Sequence, residues 1–565
     1  MSVAPSRLAS CVPYVGPIAV AVASWVWIVT HLDPAGSYPQ MPPGPGLTVD
    51  ETFNVQQGVI LIEAVRTYGV GLLEPAVLRD VFSPPLHLPD HPPLGRVWLG
   101  VHHHLWWWLF PPADPEGPFV TACARAGSAT AFALTVLLVG CCSARWYGWW
   151  SGLMTASGFL LIPRLFGHGH IAALESVTNL TWSASVIAFA MAWDRAPPPK
   201  WSTAAWTGAV FGLALLTKIQ AVLIPLPIIV WALARWRRQA LVPLTIWGAT
   251  GFVVFFLGWP WLWLDPVGNL SQYLGGAANR ATLSVWLWGH QYTDRTVPRY
   301  YAFLYWWATV PLKIHVLGFL GWITTPAAKS SDPELKSIQG RWTPGEFLLG
   351  VMSLWPLAVF SLPGVPVYDG ERLWLPALAV WLVFFGRGCD HIVRKFASWK
   401  PQSREVVRAA LILMTVVQVV MLNRFSPCYL SFYSGTAGGM AGAHAAGLEL
   451  DYWGSAVTRP LLERLVEIVP QGGEVAMTPV LHQFQTEELW RQSPVLRRHG
   501  VQIVAFDPAQ PAPEFVLLFR RLADLPEAWR GAPDGYEPVA DVIRDGVQLA
   551  ALYRRVAPPV LAPGQ

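Results

Sequence analysis

The chain has 565 residues, of which 53% are hydrophobic and only 13% charged, with a formal net charge of +4. Soluble domains are about a quarter charged, so this deficit excludes an ordinary soluble globule and points to many membrane spans; the mean hydropathy of +0.37 agrees. A net charge so close to neutrality gives no reason to invoke a nucleic-acid partner.

The first apolar segment covers residues 11–32. It has the length of a secretory leader, but the many later apolar segments argue for a retained first helix. A long polar loop, 33–117, follows. Within it, Val97–Phe110 is apolar and aromatic but short, and reads as a helix lying in the membrane interface. It carries His102, His103 and His104 beside Trp106, Trp107 and Trp108. Three adjacent histidines cannot share one helix face, so a metal site built from all three is not expected. Further spans are expected near 118–142, 147–163, 171–193, 202–217, 219–234, 241–263, 301–324, 345–363, 372–387 and 406–424, about eleven in all. The 32 tryptophans suit the membrane–water boundary. Cys11, Cys123, Cys141, Cys142, Cys389 and Cys428 lie mostly in apolar segments without metal-ligand spacing, and read as small apolar fillers.

Charge in the loops sets an orientation. With Arg7 on the cytoplasmic side, alternate loops carry Arg145; Arg195 and Lys200; Arg235, Arg237 and Arg238; Lys329, Lys336 and Arg341; and Arg387, Arg394, Lys395, Lys400 and Arg404. Every strongly basic short loop then faces the cytoplasm, as the positive-inside rule requires. The opposite face receives the loop from Asp50 to Arg96, the Arg164–His170 turn, Lys218, the 264–300 loop with Tyr292, the Tyr368–Arg372 turn and everything after residue 424.

After Arg424 the pattern changes. Arg459–Val469 has helical spacing, Glu474–Thr478, Val501–Phe506 and Phe515–Phe519 read as strands, and Asp545-Gly546 between Val542 and Val547–Leu552 signals a hairpin. The expected fold class is mainly α: a polytopic helical bundle over 1–424, with a small soluble α/β domain over 425–565 on the outer face. No internal repeat of the kind that marks many transporters is visible.

The polar groups of that outer face form the candidate site. Asp50-Glu51 opens a segment, Asn54 to Tyr68, with helical spacing. A carboxylate at a helix start is favoured by the dipole, so capping competes with chemistry for this pair. A carboxylate at the mouth of a membrane cavity can deprotonate a hydroxyl or amine acceptor. About forty residues on stands Asp90-His91-Pro92-Pro93-Leu94-Gly95-Arg96. Arg164 and Glu175 flank the turn before the fourth span, where an ion pair between them is the structural alternative. Lys218 interrupts an apolar run, with snorkelling as its alternative. Arg372 ends Tyr368-Asp369-Gly370-Glu371-Arg372 at the mouth of the tenth span, where it could equally be an interfacial anchor. Arg96, Arg164, Lys218, Arg372 and His91 together put cations on the face where the positive-inside rule disfavours them. An anionic ligand accounts for this: arginine grips phosphate with a fork and lysine supplies a point charge. Glu175, His168, Tyr292 and Glu371 are candidates for substrate contact or for support.

These motifs resemble those of the GT-C superfamily of membrane glycosyltransferases, family 39 type, which includes protein O-mannosyltransferases and lipid A aminoarabinose transferases. The resemblance rests on Asp50-Glu51, on His91 to Arg96, on Pro163-Arg164-Leu165 with Glu175, on Leu216-Thr217-Lys218, on Tyr368 to Arg372, and on Tyr433 to Trp453 with its Glu449-Leu450-Asp451-Tyr452-Trp453 end. It implies an inverting transferase using a polyprenyl-phosphate sugar. Asp50 would then be the general base, Glu51 would assist it, and Arg164, Lys218, Arg372, His91 and Arg96 would hold the donor phosphate. Four features depart from the pattern. Arg96 stands for the lysine of the O-mannosyltransferases, Glu175 for the commoner aspartate, and no soluble repeat insert is present. Thr52-Phe53-Asn54 also lacks the basic residue that follows the acidic pair in aminoarabinose transferases.

The expectation is a multi-pass enzyme of a bacterial inner membrane, active on the periplasmic face. Its acceptor would be a lipid, glycan or protein, it would need no cofactor, and a divalent metal is left open. A transporter or flippase of a lipid-linked saccharide is the alternative; it would use the same cations but would not need Asp50.

Overall fold

The structure, a computed structural model, describes residues 12–83, 86–194, 197–278, 281–324 and 342–556. Arg7, Cys11, Arg195, Lys329, Lys336 and Arg341 lie outside the described residues.

The described residues are mainly helical, with a five-stranded sheet near the end of the chain and a two-stranded one earlier. Among the described residues, five helical stretches are long and apolar enough to cross a membrane: Val12–Val29, Thr121–Tyr147, Ile219–Leu257, Arg372–Trp399 and Ser403–Asn423. A sixth arises if Tyr301–Thr309 and Leu312–Ile323, bent by 109° at their junction, count as one span. The other expected spans are helical but short. Trp149–Leu160 has 12 residues and Trp201–Leu215 has 15. At about 1.5 Å per residue, 12 residues cover well under the ~30 Å of a bilayer core. Segments 219–234 and 241–263, expected as two spans, contain the separate helices Pro225–Trp236 and Leu241–Leu257, parted at Arg237 (φ 52°), within the apolar stretch Ile219–Leu257. The segment expected at 372–387 continues to Trp399, so Arg387 sits inside a helix rather than in a loop. There it bonds the Thr324 carbonyl and covers the Tyr147 ring at 5.2 Å.

Two helices bring the first loop to the bundle. Val49–Tyr68 and Leu94–Leu109 cross at Gly58 and Gly100, where a Cβ would lie 2.2 Å from the Arg96 carbonyl and 2.3 Å from that of Gly58. Only glycine permits that approach. It presses the His91–Arg96 segment against the helix that starts beside Asp50. Leu94 N–H then donates to the Leu216 carbonyl at 3.0 Å, which fixes the turn before Lys218 to the same place.

The sheet has five strands in the order Gln502–Ala505, Glu474–Thr478, Phe515–Phe519, Val547–Arg555, Tyr536–Arg544. The first three are parallel and the last two join antiparallel. The central strand Phe515–Phe519 is buried along its whole length, as expected for a strand covered on both faces. Asp545 (φ 52°) and Gly546 (φ 79°) make the expected hairpin turn, both residues left-handed as a two-residue type I′ loop demands. A second hairpin, Ser284–Leu287 with His290–Thr293, lies inside the 264–300 loop, where no strand was expected. Its turn, Trp288-Gly289, is also left-handed at both residues.

Candidate active site

Asp50 and Glu51 occupy the first turn of the Val49–Tyr68 helix, and the helix separates their fates. Consecutive residues point about 100° apart. Glu51 turns inward and completes a capping box with Thr48, whose N–H and hydroxyl reach its Oε2 at 3.0 and 3.1 Å. Arg125 grips both Glu51 oxygens at 2.7 Å, and Ala172 N–H adds a fifth donor at 2.6 Å. The same guanidinium donates to the carbonyls of Leu32, Pro45 and Gly46. Both side chains have no exposed surface. Glu51 is thus a structural anchor, and the expected assistance to the base is not supported by this geometry. Sequence reasoning passed over Arg125, although an arginine in an apolar helix was a signal in itself.

Asp50 turns the other way and keeps 24% of its side chain exposed. Its carboxylate pairs with Arg372, 322 residues away. Arg372 also donates from Nε to Glu175 Oε1 at 2.9 Å and from Nη1 to Asp369 Oδ2 at 3.1 Å. Lys218 Nζ reaches the same Glu175 oxygen at 2.6 Å. The Trp453 ring lies beneath Arg372 at 4.7 Å and the Tyr368 ring at 5.6 Å. Asp50, Glu175, Lys218 and Arg372 therefore form one cluster of direct ion pairs.

Arg164 sits in an adjoining layer. It donates to Glu371 at 2.8 Å, to the Phe432 carbonyl at 2.8 Å and to the Tyr452 hydroxyl at 3.3 Å, with the Tyr433 ring 4.5 Å away. The alternative Arg164–Glu175 pair is replaced by Arg164–Glu371 and Glu175–Lys218. The guanidinium of Arg164 is fully buried, but its Nη2 has no hydrogen-bond partner. Glu371 is held because Asp369 (φ 54°) and Gly370 (φ 62°) turn left-handed before the short helix Arg372–Trp374. Gly370 N–H is caught by the Tyr301 hydroxyl at 3.0 Å. A Cβ at Gly370 would come within 2.7 Å of the Tyr452 hydroxyl.

Arg96 is drawn away from the cluster. Its guanidinium is spent on Asp90 at 2.8 and 3.1 Å, the Leu88 carbonyl at 2.8 Å and Asn54 at 3.2 Å. It ties its loop to the helix, each of its three nitrogens engaged there. His91 stands 4.0 Å from Asp90. Burial foremost holds its pKa down to about 3, so at neutral pH it is uncharged and can offer a hydrogen bond but not a cation. His168 is likewise held down to about 4 by burial, and its ring packs 5.6 Å from Trp453. Tyr292 stands opposite Val285 on the second hairpin and is not among the described residues that touch Arg372.

Burial pushes the Asp50 carboxyl up from its ordinary value; Arg372 and Lys218 pull against that rise, and Glu175 and Asp369 add to it. Several polar atoms around the cluster are buried without a partner: His91 Nδ1, His168 Nδ1 and Glu175 Oε2, besides Arg164 Nη2. Such atoms are costly unless something polar meets them. Asp369, Trp453 and Tyr452 also belong here. They stood in the quoted motifs, but no spacing rule singled them out. Among the described residues no group of His, Cys, Asp and Glu has the arrangement to hold a metal ion.

No family model matches the chain, and no curated protein matches it. Among solved structures it is similar to the aminoarabinose transferase ArnT from Cupriavidus metallidurans in the apo state. The identity is 16% and the TM-score 0.45, over 95% of this chain and 97% of that one. For the same transferase bound to undecaprenyl phosphate the identity is 16% and the TM-score 0.46, over 97% and 98%. The archaeal oligosaccharyltransferase AglB from Archaeoglobus fulgidus, in complex with an inhibitory peptide and a dolichol-phosphate, gives 10% and 0.45, over 89% of this chain and 69% of that one.

Proposed function

We propose that the protein is an inverting membrane glycosyltransferase that moves a hexosyl or pentosyl group from a polyprenyl-phosphate donor to a lipid, glycan or protein acceptor. The observation that carries this reading is the pairing of Asp50, a partly exposed carboxylate, with Arg372, in one cluster with Lys218. A base and a pair of cations are what the transfer needs side by side.

The acceptor hydroxyl or amine gives its proton to Asp50 while its oxygen or nitrogen attacks the anomeric carbon of the sugar. The bond from that carbon to the phosphate oxygen breaks, and the electron pair leaves with the polyprenyl phosphate. A phosphodiester with one negative charge becomes a monoester with nearly two. Fixed cations help most where charge develops, and Arg372 and Lys218 are placed to receive it. For Asp50 to act, the incoming phosphate takes over its hold on Arg372 and frees the carboxylate. The scheme uses no cofactor. Arg164, one layer behind, supports the turn that carries Arg372, and its unpartnered Nη2 is the edge left for a ligand.

By the charge of the loops, we place the enzyme in a bacterial inner membrane with the cluster and residues 425–565 on the periplasmic side. The test is transfer from a purified polyprenyl-phosphate sugar in detergent, with product mass compared in cells with and without the protein. A glycosylated product that disappears in Asp50→Asn is the expected result. Donor moved across liposomes with no glycosylated product would replace this reading with a flippase.

A further inference from the structure

Three carboxylates surround Arg372: Asp50, Glu175 and Asp369. Within this group only Arg372 and Lys218 carry positive charge, so taken alone it has a net negative charge and would repel a phosphate. A third cation, shared with Asp524, comes from the sheet region. Arg521 Nη1 donates to Asp369 Oδ1 at 2.9 Å, while Asp369 Oδ2 takes Trp453 Nε1 at 3.0 Å and Arg372 Nη1 at 3.1 Å. The two oxygens of one carboxylate are thus divided between an arginine of the helical bundle and one of the sheet region, the latter 152 residues from Asp369 in sequence.

Arg521 is built into position. It directly follows the buried strand Phe515–Phe519, past Arg520. The next two backbone N–H groups, of Leu522 and Ala523, are captured by Glu449 at 2.6 and 3.0 Å. Its guanidinium also bonds Asp524 and the Tyr452 carbonyl, and it is 6% exposed. Its Nε and Nη1 are held by Asp524, Asp369 and Tyr452. Its effect passes through Asp369.

We infer that Arg521 is a positioning residue of the phosphate site: by neutralising and orienting Asp369, it aims the Arg372 guanidinium and leaves its charge available for the donor phosphate. This inference rests on the reading of Arg372 as a phosphate ligand. It makes the sheet region part of the site's charge balance, and not only a cover over it. Arg520, the neighbouring arginine, offers the contrast: it bonds the carbonyls of Trp529 and Arg530 and the side chain of Gln548, all within the sheet region.

The experiment is a double-mutant cycle on the full-length protein in detergent, read by equilibrium binding of a radiolabelled synthetic polyprenyl phosphate, with melting temperature recorded alongside. Arg521→Gln should weaken binding roughly tenfold, as expected for coupled charged neighbours. In an Arg372→Gln background, itself weakened, adding Arg521→Gln should cost little more. Arg521→Lys, which keeps the charge without the fork, should recover most of the affinity, and Arg520→Gln should leave binding unchanged. If Arg521→Gln does not fold, the same cycle is run with Arg521→Lys, where a smaller loss that vanishes without Arg372 is expected. Losses that simply multiply, or no loss from Arg521 variants while Arg372→Gln weakens binding, overturn the inference and leave the phosphate site standing. Unchanged binding in Arg372→Gln removes the phosphate reading itself, and this inference with it.

Discussion

Asp50 and Glu51 are adjacent in sequence and opposite in circumstance. Glu51 is sealed, saturated by Arg125, Thr48 and Ala172, with no surface exposed. Asp50 is partly exposed, in a cluster whose rim carries polar atoms without partners. A buried ion pair that satisfies every lone pair holds structure together and has nothing left to offer a substrate. A strained balance of charges beside unpartnered donors is where a ligand can lower the energy. The comparison teaches that two carboxylates of adjacent positions are told apart by the count of their satisfied partners.

Four measurements break or sharpen that contrast. The largest effect is expected from Asp50→Asn, which keeps size but removes the base. Transfer from a polyprenyl-phosphate sugar should fall by about 10²–10⁴-fold with the melting temperature little changed. Undiminished transfer would take Asp50 out of the mechanism.

Arg125→Ala should do the reverse. It leaves Glu51 as an uncompensated buried charge, so stability should drop by about 3–5 kcal/mol, seen as a lower melting temperature or a loss of folded protein. A variant that melts normally but fails only in transfer would move the Arg125–Glu51 pair from scaffold to site.

The acid limb of the pH profile comes third. On the proposed mechanism Asp50 acts as a base only when ionised, and its pKa is raised, chiefly by burial. Activity should therefore be full above that raised value and fall as pH drops through it, at higher pH than an ordinary carboxylate would give. The fall approaches tenfold per pH unit below it. A profile flat down to the ordinary aspartate range would contradict the direction of the shift.

Thr48→Ala gives the smallest effect. Loss of the capping residue should cost about 1 kcal/mol and lower the melting temperature slightly, while the Asp50–Arg372 pair and the turnover of the folded protein persist. If transfer were lost instead, the helix start would be holding Asp50 in place, and the separation between the two neighbours would be weaker than their contacts imply.

Much of this was legible in the sequence. The charge deficit announced apolar helices, and strands Glu474–Thr478 and Phe515–Phe519 and the Asp545-Gly546 turn appear where local patterning put them. Alternation and turn chemistry act over a few residues, so a linear reading can see them. Asp50, Lys218, Glu175 and Arg372 were each visible as charges in places that need a reason. Their partners were not. Arg164 was paired with Glu175 by proximity along the chain, whereas the left-handed turn at Asp369-Gly370 delivers Glu371 to it. Arg96 was visible as a charge, but its bond to Asn54 follows from the crossing at Gly58 and Gly100.

Residue type and local period, then, are properties of the sequence alone: which segments are apolar, which turns are tight, and which charges sit where solvation is poor. Which charge meets which is a property of the tertiary structure. An ion pair such as Arg372–Asp50, or Arg521–Asp369, closes a loop of more than a hundred residues. Its existence depends on the packing of every helix and strand between its ends, and no local spacing encodes that.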